Sequence, residues 1–238
     1  MQGGRGYLQR DWSRKPYGSL PYAGPVSIPL IPRSQWQSII KSKEAGLSRL
    51  TDIHAFYDLG VLNQGKTSLC HAFCTAMAIM VQRAVQGLPH VTLSPASIAG
   101  PVTGYRNEGA FIHADMQVAC ERGCCSTDFV FETELNRSKN ESPEATANAA
   151  LHKVTEWWEL ETYNFDQVGT MLLSGTPVIA GLPNYPAGPH AVLFMDLIQK
   201  AGVYGVTYLN SWGSQFGSNG FGELWGRQAI PEESYAPR

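Results

Sequence analysis

Along the chain, apolar residues recur with two different periods. In the first half they repeat every three or four residues, the spacing of a buried helix face. Trp36, Ile39 and Ile40 give one apolar face to a short helix that Ser34 is suited to cap. Phe73, Met77, Val81 and Ala84 mark a longer helix from Cys70, with Cys74, Ile79 and Met80 widening its face and Gly87 and Pro89 ending it. Ser94 and Pro95 read as the cap and first position of a third helix, and residues 111–120 as a fourth, closed by Gly123. Residues 47–60 read as irregular. Residues 134–150 are polar and rich in Ala, Asn and Glu, the pattern of a surface excursion.

In the last third the pattern shortens. Residues 177–182 and 191–195 are apolar runs bounded by Gly and Pro, and residues 204–209 alternate. Such runs predict strands of a compact sheet or barrel. The expected class is α+β, a helical lobe followed by a β-barrel-like lobe. The expected division is an arm over 1–50, a helical lobe over 51–155 and a β-rich lobe over 156–238. Pro16, Pro21, Pro25, Pro29 and Pro32 make residues 1–33 an extended arm.

Composition removes several function classes. Eighteen Lys and Arg against twenty Asp and Glu leave a net charge of −2, with no basic run. That offers no electrostatic footprint for nucleic acid or an anionic membrane. A hydrophobic content of 43% is too high for a disordered chain. No segment has the ~20 apolar residues of a membrane span, and residues 1–6 do not read as a secretory leader. The compartment is left open, with a reducing one such as cytoplasm, or a particle, favoured. Five cysteines are an odd number, so at least one thiol is unpaired. Cys120, Cys124 and Cys125 lack the spacing of common zinc sites, and neither metal nor cofactor is expected.

Three segments carry chemistry. Asn63-Gln64-Gly65 leads through a loop to Cys70 at a helix start. There the helix dipole favours a thiolate. Gly188-Pro189-His190-Ala191-Val192 sets a His at the mouth of a strand, and Asn210-Ser211-Trp212-Gly213 follows another. A His beside a thiol forms a thiolate–imidazolium pair with a lowered Cys pKa. Asn210 could orient the ring through its amide oxygen. The N–H of Cys70 and the amide of Gln64 could converge on an oxyanion.

In that order these segments resemble the papain-like (C1) cysteine peptidases. Leu93-Ser94-Pro95, Gly175 with Pro177-Val178, and Gly217 with Gly220-Phe221 extend the likeness over about residues 51–230, with Phe216 where the family has a second Trp. The resemblance implies a two-lobed fold with the active site in the cleft. It also implies hydrolysis of a polypeptide through a thioester on Cys70, with His190, Asn210 and Gln64 as its partners and Trp212 shielding the His190–Asn210 bond.

The sequence departs from the family at the cleft. Thr67-Ser68-Leu69-Cys70-His71 lacks the usual upstream Cys and the Trp after the nucleophile. Arg106-Asn107-Glu108-Gly109-Ala110 lacks the partner Cys and the paired glycines. Both ends of the family's bridge are missing together. Glu108 and Gly109 are expected on the cleft wall. His71 is expected beside the nucleophile, lining the pocket or on the surface. The Pro-rich arm replaces the family's helical pro-region. Either the enzyme needs no zymogen, or residues 1–50 dock it to a protein neighbour, in a structural component of a larger assembly with weak, latent or partner-specific activity. Acyl transfer or isopeptidase chemistry by the same thioester is a separate reading left open.

Overall fold

The apolar period that starts at Cys70 produces a helix with almost no wet face. In the computed structural model, which describes residues 6–8, 29–238 and the backbone of 19–21, Cys70–Val85 is helical and thirteen of its sixteen residues are buried. A helix apolar all round needs cover on every side. In chain order the elements are β1 (Ser19–Pro21), α1 (Arg33–Ala45), α2 (Leu50–Phe56), α3 (Cys70–Val85), α4 (Pro95–Thr103), α5 (Ile112–Glu121), α6 (Arg137–Asn140), α7 (Pro143–Ala149), β2 (Trp157–Glu159), α8 (Phe165–Leu173), β3 (Val178–Leu182), β4 (His190–Lys200), β5 (Val203–Leu209), β6 (Phe221–Trp225) and β7 (Glu233–Pro237). Helices α2, α4 and α5 and strand β4 cover α3.

The strands form one sheet in the order β1-β2-β7-β3-β4-β5-β6. Its pairs are antiparallel apart from β1 with β2. The first eight residues of β4 are all buried, because both α3 and α8 pack on it. That is why residues 191–195 read as a continuous apolar run rather than an alternating one. One core runs from Trp36, Leu50 and Phe73 in the helical part to Phe194 and Tyr235 in the sheet.

The α+β expectation holds, with a single sheet where a barrel-like lobe was expected. Two local expectations change. Residues 47–60 contain helix α2, because its first N–H groups are satisfied from far along the chain. Asp196, at an irregularity in β4, accepts from Leu50 N at 2.8 Å and Thr51 N at 3.2 Å, and from Thr51 Oγ1 at 2.6 Å. Long-range capping of this kind leaves no local sequence signal. Residues 134–150 hold α6 and α7; Ala145 and Ala149 of α7 anchor them in a small second cluster with Ala96, Cys125 and Val130. Most of the extended arm read over 1–33 lies outside the described residues. All five cysteines are free and buried. No helix among the described residues is long and apolar enough to cross a membrane.

Candidate active site

Cys70 is the first residue of α3 and has no exposed surface. The loop before it is tied to the segment after β5. Gln64 N donates to Ser211 O at 2.8 Å, and Asn63 bridges Trp212 in antiparallel fashion. Gly65 turns the loop at φ +56°, a conformation suited to glycine. The Gln64 side chain is held at both ends. Its Oε1 accepts from Ser211 Oγ at 2.5 Å, and its Nε2 donates to Thr67 O at 2.8 Å. An amide nitrogen carries two hydrogens, so one donor of Gln64 is left over beside the nucleophile loop.

His190 opens β4 and is fully buried. Its Nε2 lies 2.9 Å from Asn210 Oδ1. An amide oxygen only accepts, so Nε2 carries the hydrogen. Asn210 is itself fixed: Oδ1 also accepts from Ser211 N at 2.8 Å, and Nδ2 donates to Tyr185 Oη at 3.3 Å. These bonds orient the amide, and the amide selects the tautomer in which Nδ1 is the basic nitrogen. Nδ1 is buried with no hydrogen-bond partner among the described residues. The rings of Trp212 and Tyr185 lie 4.9 and 5.0 Å from the His190 ring and keep water from the His190–Asn210 bond. The N–H of Ala191, the residue after His190, bonds to the Cys70 sulfur, which brings thiol and imidazole to one place.

The chain's own N-terminus lies across this place. Tyr7 pairs with Ala110 as a parallel bridge. Ala110 N donates to Gly6 O at 2.9 Å, and Leu8 N donates to Ala110 O at 3.1 Å. Gly6 is packed on the nucleophile: a Cβ built on it would stand 2.9 Å from Cys70 Sγ and would collide with the carbonyl of Ser68. Tyr7 is buried at 4% exposure, with its ring over Gly181 and its hydroxyl donating to Glu232 Oε2 at 3.3 Å.

Burial of the site reverses the expected ionisation. Burial pushes the Cys70 thiol up to about 11; the N–H groups of Ala191, Gly6 and His71 oppose the rise and the charge of Asp115 adds to it. Burial also lowers His190 to about 4, against a smaller upward effect of the Asn210 bond. With the arm in place, thiol and imidazole are therefore both neutral at neutral pH, where the sequence led us to expect a thiolate–imidazolium pair. Desolvation disfavours both charged forms and outweighs the helix dipole.

The structure brings Cys70, His190, Asn210, Gln64 and Trp212 together. It moves one expected cleft residue. His71 is neither on the surface nor in the cleft. It is fully buried, with Nδ1 2.7 Å from the equally buried carboxylate of Asp115. One step along α3 from Cys70 turns its side chain into the helical part. Glu108 is exposed and paired with Arg106 at 2.9 Å, in the loop whose Asn107 Oδ1 accepts from Ser68 N at 2.7 Å. Gly109 precedes Ala110, whose backbone pairs with the arm. Sequence reasoning missed Asp115, Tyr185, Gly181, Glu232 and Glu233. Asp115, four residues into a predicted helix with a His on the neighbouring one, was the one with a usable signal: a carboxylate inside an apolar period.

No family model and no curated protein matches the sequence. Solved structures do match by shape. Xylellain, a cysteine protease from Xylella fastidiosa, is 19% identical with a TM-score of 0.66, covering 98% of this chain and 99% of that one. Procathepsin L2 from the larval midgut of Tenebrio molitor is 14% identical with a TM-score of 0.70, covering 98% and 78%. Procathepsin L 3 of the same source is 17% identical with a TM-score of 0.64, covering 75% of this chain; the match spans 66% of that protein's length. The fold is thus that of the papain-like cysteine proteases, as the sequence motifs implied.

Proposed function

We propose that this chain is a cysteine peptidase held latent by its own residues 6–8. The observation that carries this reading is the His190–Asn210 hydrogen bond. It presents an unpartnered Nδ1 beside a thiol at the N-terminus of α3. Precise orientation of an imidazole by a third group is what a thiol nucleophile requires.

Once the arm leaves, a polypeptide carbonyl takes the place of Gly6 over Cys70. His190 Nδ1 accepts the thiol proton, and the sulfur attacks the carbonyl carbon. The oxyanion takes hydrogen bonds from the N–H of Cys70 and the free hydrogen of Gln64 Nε2. His190 then gives its proton to the leaving amine, and the C–N bond breaks to leave a thioester. A water deprotonated by His190 attacks the thioester, and the acid and the thiol are regenerated. Asn210 keeps the ring in register through both steps. Polypeptides are the substrate class, in keeping with the cysteine proteases it resembles in fold. Gly6 and Tyr7 of the arm are buried on the chain's own cleft.

The test is casein hydrolysis by the full chain, before and after arm displacement, alongside Cys70→Ala. Hydrolysis that needs Cys70 and rises on displacement is expected. Equal hydrolysis by Cys70→Ala, or none by any displaced form, overturns the reading.

A further inference from the structure

We propose that the cavity behind Tyr185 binds a small arylalkanoic acid, an aromatic ring on a short chain that ends in a carboxylate, and that the bound acid acts on His190 through Tyr185 and Asn210. The site lies outside the cleft, and neither claim depends on the peptidase reading.

The cavity has a volume of about 680 Å³, within the range of sites for small organic molecules. The turn between β3 and β4 forms one side, and β5, β6 and residues 227–230 form the other. Residues 6–8 of the arm form none of its wall. Tyr7 lies on Gly181, whereas Leu182, the next residue of β3, lines the cavity. Successive residues of a strand point to opposite sides. Pro183, Pro186, Leu224 and Ile230 give the cavity apolar walls beside the Tyr185 ring. Flat proline and tyrosine faces suit an aromatic ring.

Two donors in this wall are unspent. Tyr185 and Tyr208 both line the cavity and are 9% and 5% exposed, with their hydroxyls 2.8 Å apart. Tyr185 Oη also accepts from Asn210 Nδ2 at 3.3 Å. The two phenols carry two hydrogens. Their mutual bond uses one, and no acceptor among the described residues takes the other. A buried donor left without an acceptor costs free energy that a ligand oxygen would recover. Arg227, exposed at the rim, has no ion pair among the described residues. The other charged group of the rim, Glu223, accepts from Trp225 Nε1 at 3.1 Å. The Tyr163 hydroxyl is spent on Glu232. A carboxylate supplies what both donors lack: an acceptor for the phenol and a negative charge for the guanidinium. An amine would bring a donor where an acceptor is wanted and a charge like that of Arg227.

The same phenols hold the amide that orients His190. His190 Nε2 donates to Asn210 Oδ1 at 2.9 Å, and Asn210 Nδ2 donates to Tyr185. An acceptor in the cavity that draws the spare phenolic hydrogen sets every bond from His190 to the cavity running in one direction. Bonds in such a chain strengthen one another, so the Asn210 oxygen would hold Nε2–H more tightly.

Phenylbutyrate, phenylbutanol and phenylbutylamine share one body and differ only in the end group. In calorimetry with the full chain, the acid should bind about tenfold more tightly than either of the others. Arg227→Gln, at an exposed position, should bring the acid down towards the alcohol. Equal affinities for the three, or no binding of the acid, overturns the site. The action on His190 is read from its Nε2–H proton resonance, identified by its loss in His190→Gln. Saturating phenylbutyrate should move that resonance downfield in the unmodified chain, and an unmoved resonance with the acid bound overturns the link. Tyr185→Phe keeps the Tyr208 hydroxyl in the wall and breaks the chain of bonds. It should leave the acid bound and the resonance unmoved; any other pairing of those two results overturns the route through Tyr185.

Discussion

The backbone of Gly6 rests on Cys70 so closely that a Cβ there would stand 2.9 Å from the sulfur. Only a residue without a side chain fits, and the neighbouring Ser68 carbonyl closes the other side of the same space. Gly6→Val should therefore unseat the arm without touching the core below it. We expect Cys70 alkylation by iodoacetamide to rise at least tenfold, with the melting temperature of the body little changed. An unaltered alkylation rate would show that the contact does not guard the thiol.

The cover also has a pH range. His190 binds its proton at about 4 when covered, against an ordinary 6.5, and Cys70 loses its proton at about 11, against an ordinary 9.0. Burial is the main cause of both shifts. Below pH 6.5 an uncovered His190 takes up a proton that the covered one refuses, so acid favours opening, by up to about 1.4 kcal/mol per pH unit until pH 4. Above pH 9 an uncovered Cys70 releases a proton that the covered one keeps, so base favours opening as well. The arm should be seated most firmly between these limits. Amide resonances of Leu8 and Ala110, which hydrogen-bond across the arm, report this directly. Their covered-state positions should hold at pH 7.5 and shift at pH 4.5 and 10. A flat response from 4.5 to 10 would contradict the assignment of these groups.

Asn210→Ala tests the positioning of His190. The substitution removes the acceptor of Nε2 and the amide that bridges to Tyr185. With the arm displaced, kcat/KM should fall about 10- to 100-fold, a loss of roughly 1.4 to 2.7 kcal/mol. KM should change little, since Asn210 is fully buried and bonded to His190, Tyr185 and Ser211. A change confined to KM would place Asn210 in substrate binding instead.

How much of this was legible follows from where each signal sits. Helix α3 was readable because its apolar period is dense and ends at Gly87 and Pro89. Strands β3, β4 and β5 were readable because Gly and Pro bound them. Strand β7 was not: Glu-Ser-Tyr-Ala-Pro looks polar, yet all five residues are buried, because β7 is inserted between β2 and β3. Helix α8 was missed although Asn164 caps it by accepting from Gln167 N at 3.1 Å. The four expected site residues came from motif order, which survives low identity. The pairing of Ala110 with the arm was not readable, because one loop offered no register for it. That Gly6 would meet Cys70 had no signal in the sequence, since the contact joins segments 64 residues apart in number and depends on the path of the arm.

The last prediction concerns the residue after the nucleophile. His71 and Asp115 are both at zero exposure and 2.7 Å apart, and His71 Nε2 and Asp115 Oδ1 have no hydrogen-bond partner among the described residues. Burial pushes the Asp115 carboxyl up, while His71 draws it down. The two groups make each other tolerable in a place that is hostile to either alone. Asp115→Ala should leave an uncompensated polar ring in the core and cost about 3–5 kcal/mol of stability. His71→Leu alone should cost a similar amount, by stranding the carboxylate. The double variant His71→Leu with Asp115→Leu should cost much less than the sum, because an apolar pair of similar volume removes both desolvation penalties. Asp115 also contributes to the high pKa of the Cys70 thiol. The double variant should therefore lower that pKa, seen as faster alkylation at pH 8 in the Gly6→Val background. Denaturant midpoints of the three variants measure the coupling. Simple additivity of the two single losses would show that His71 and Asp115 do not act as a pair.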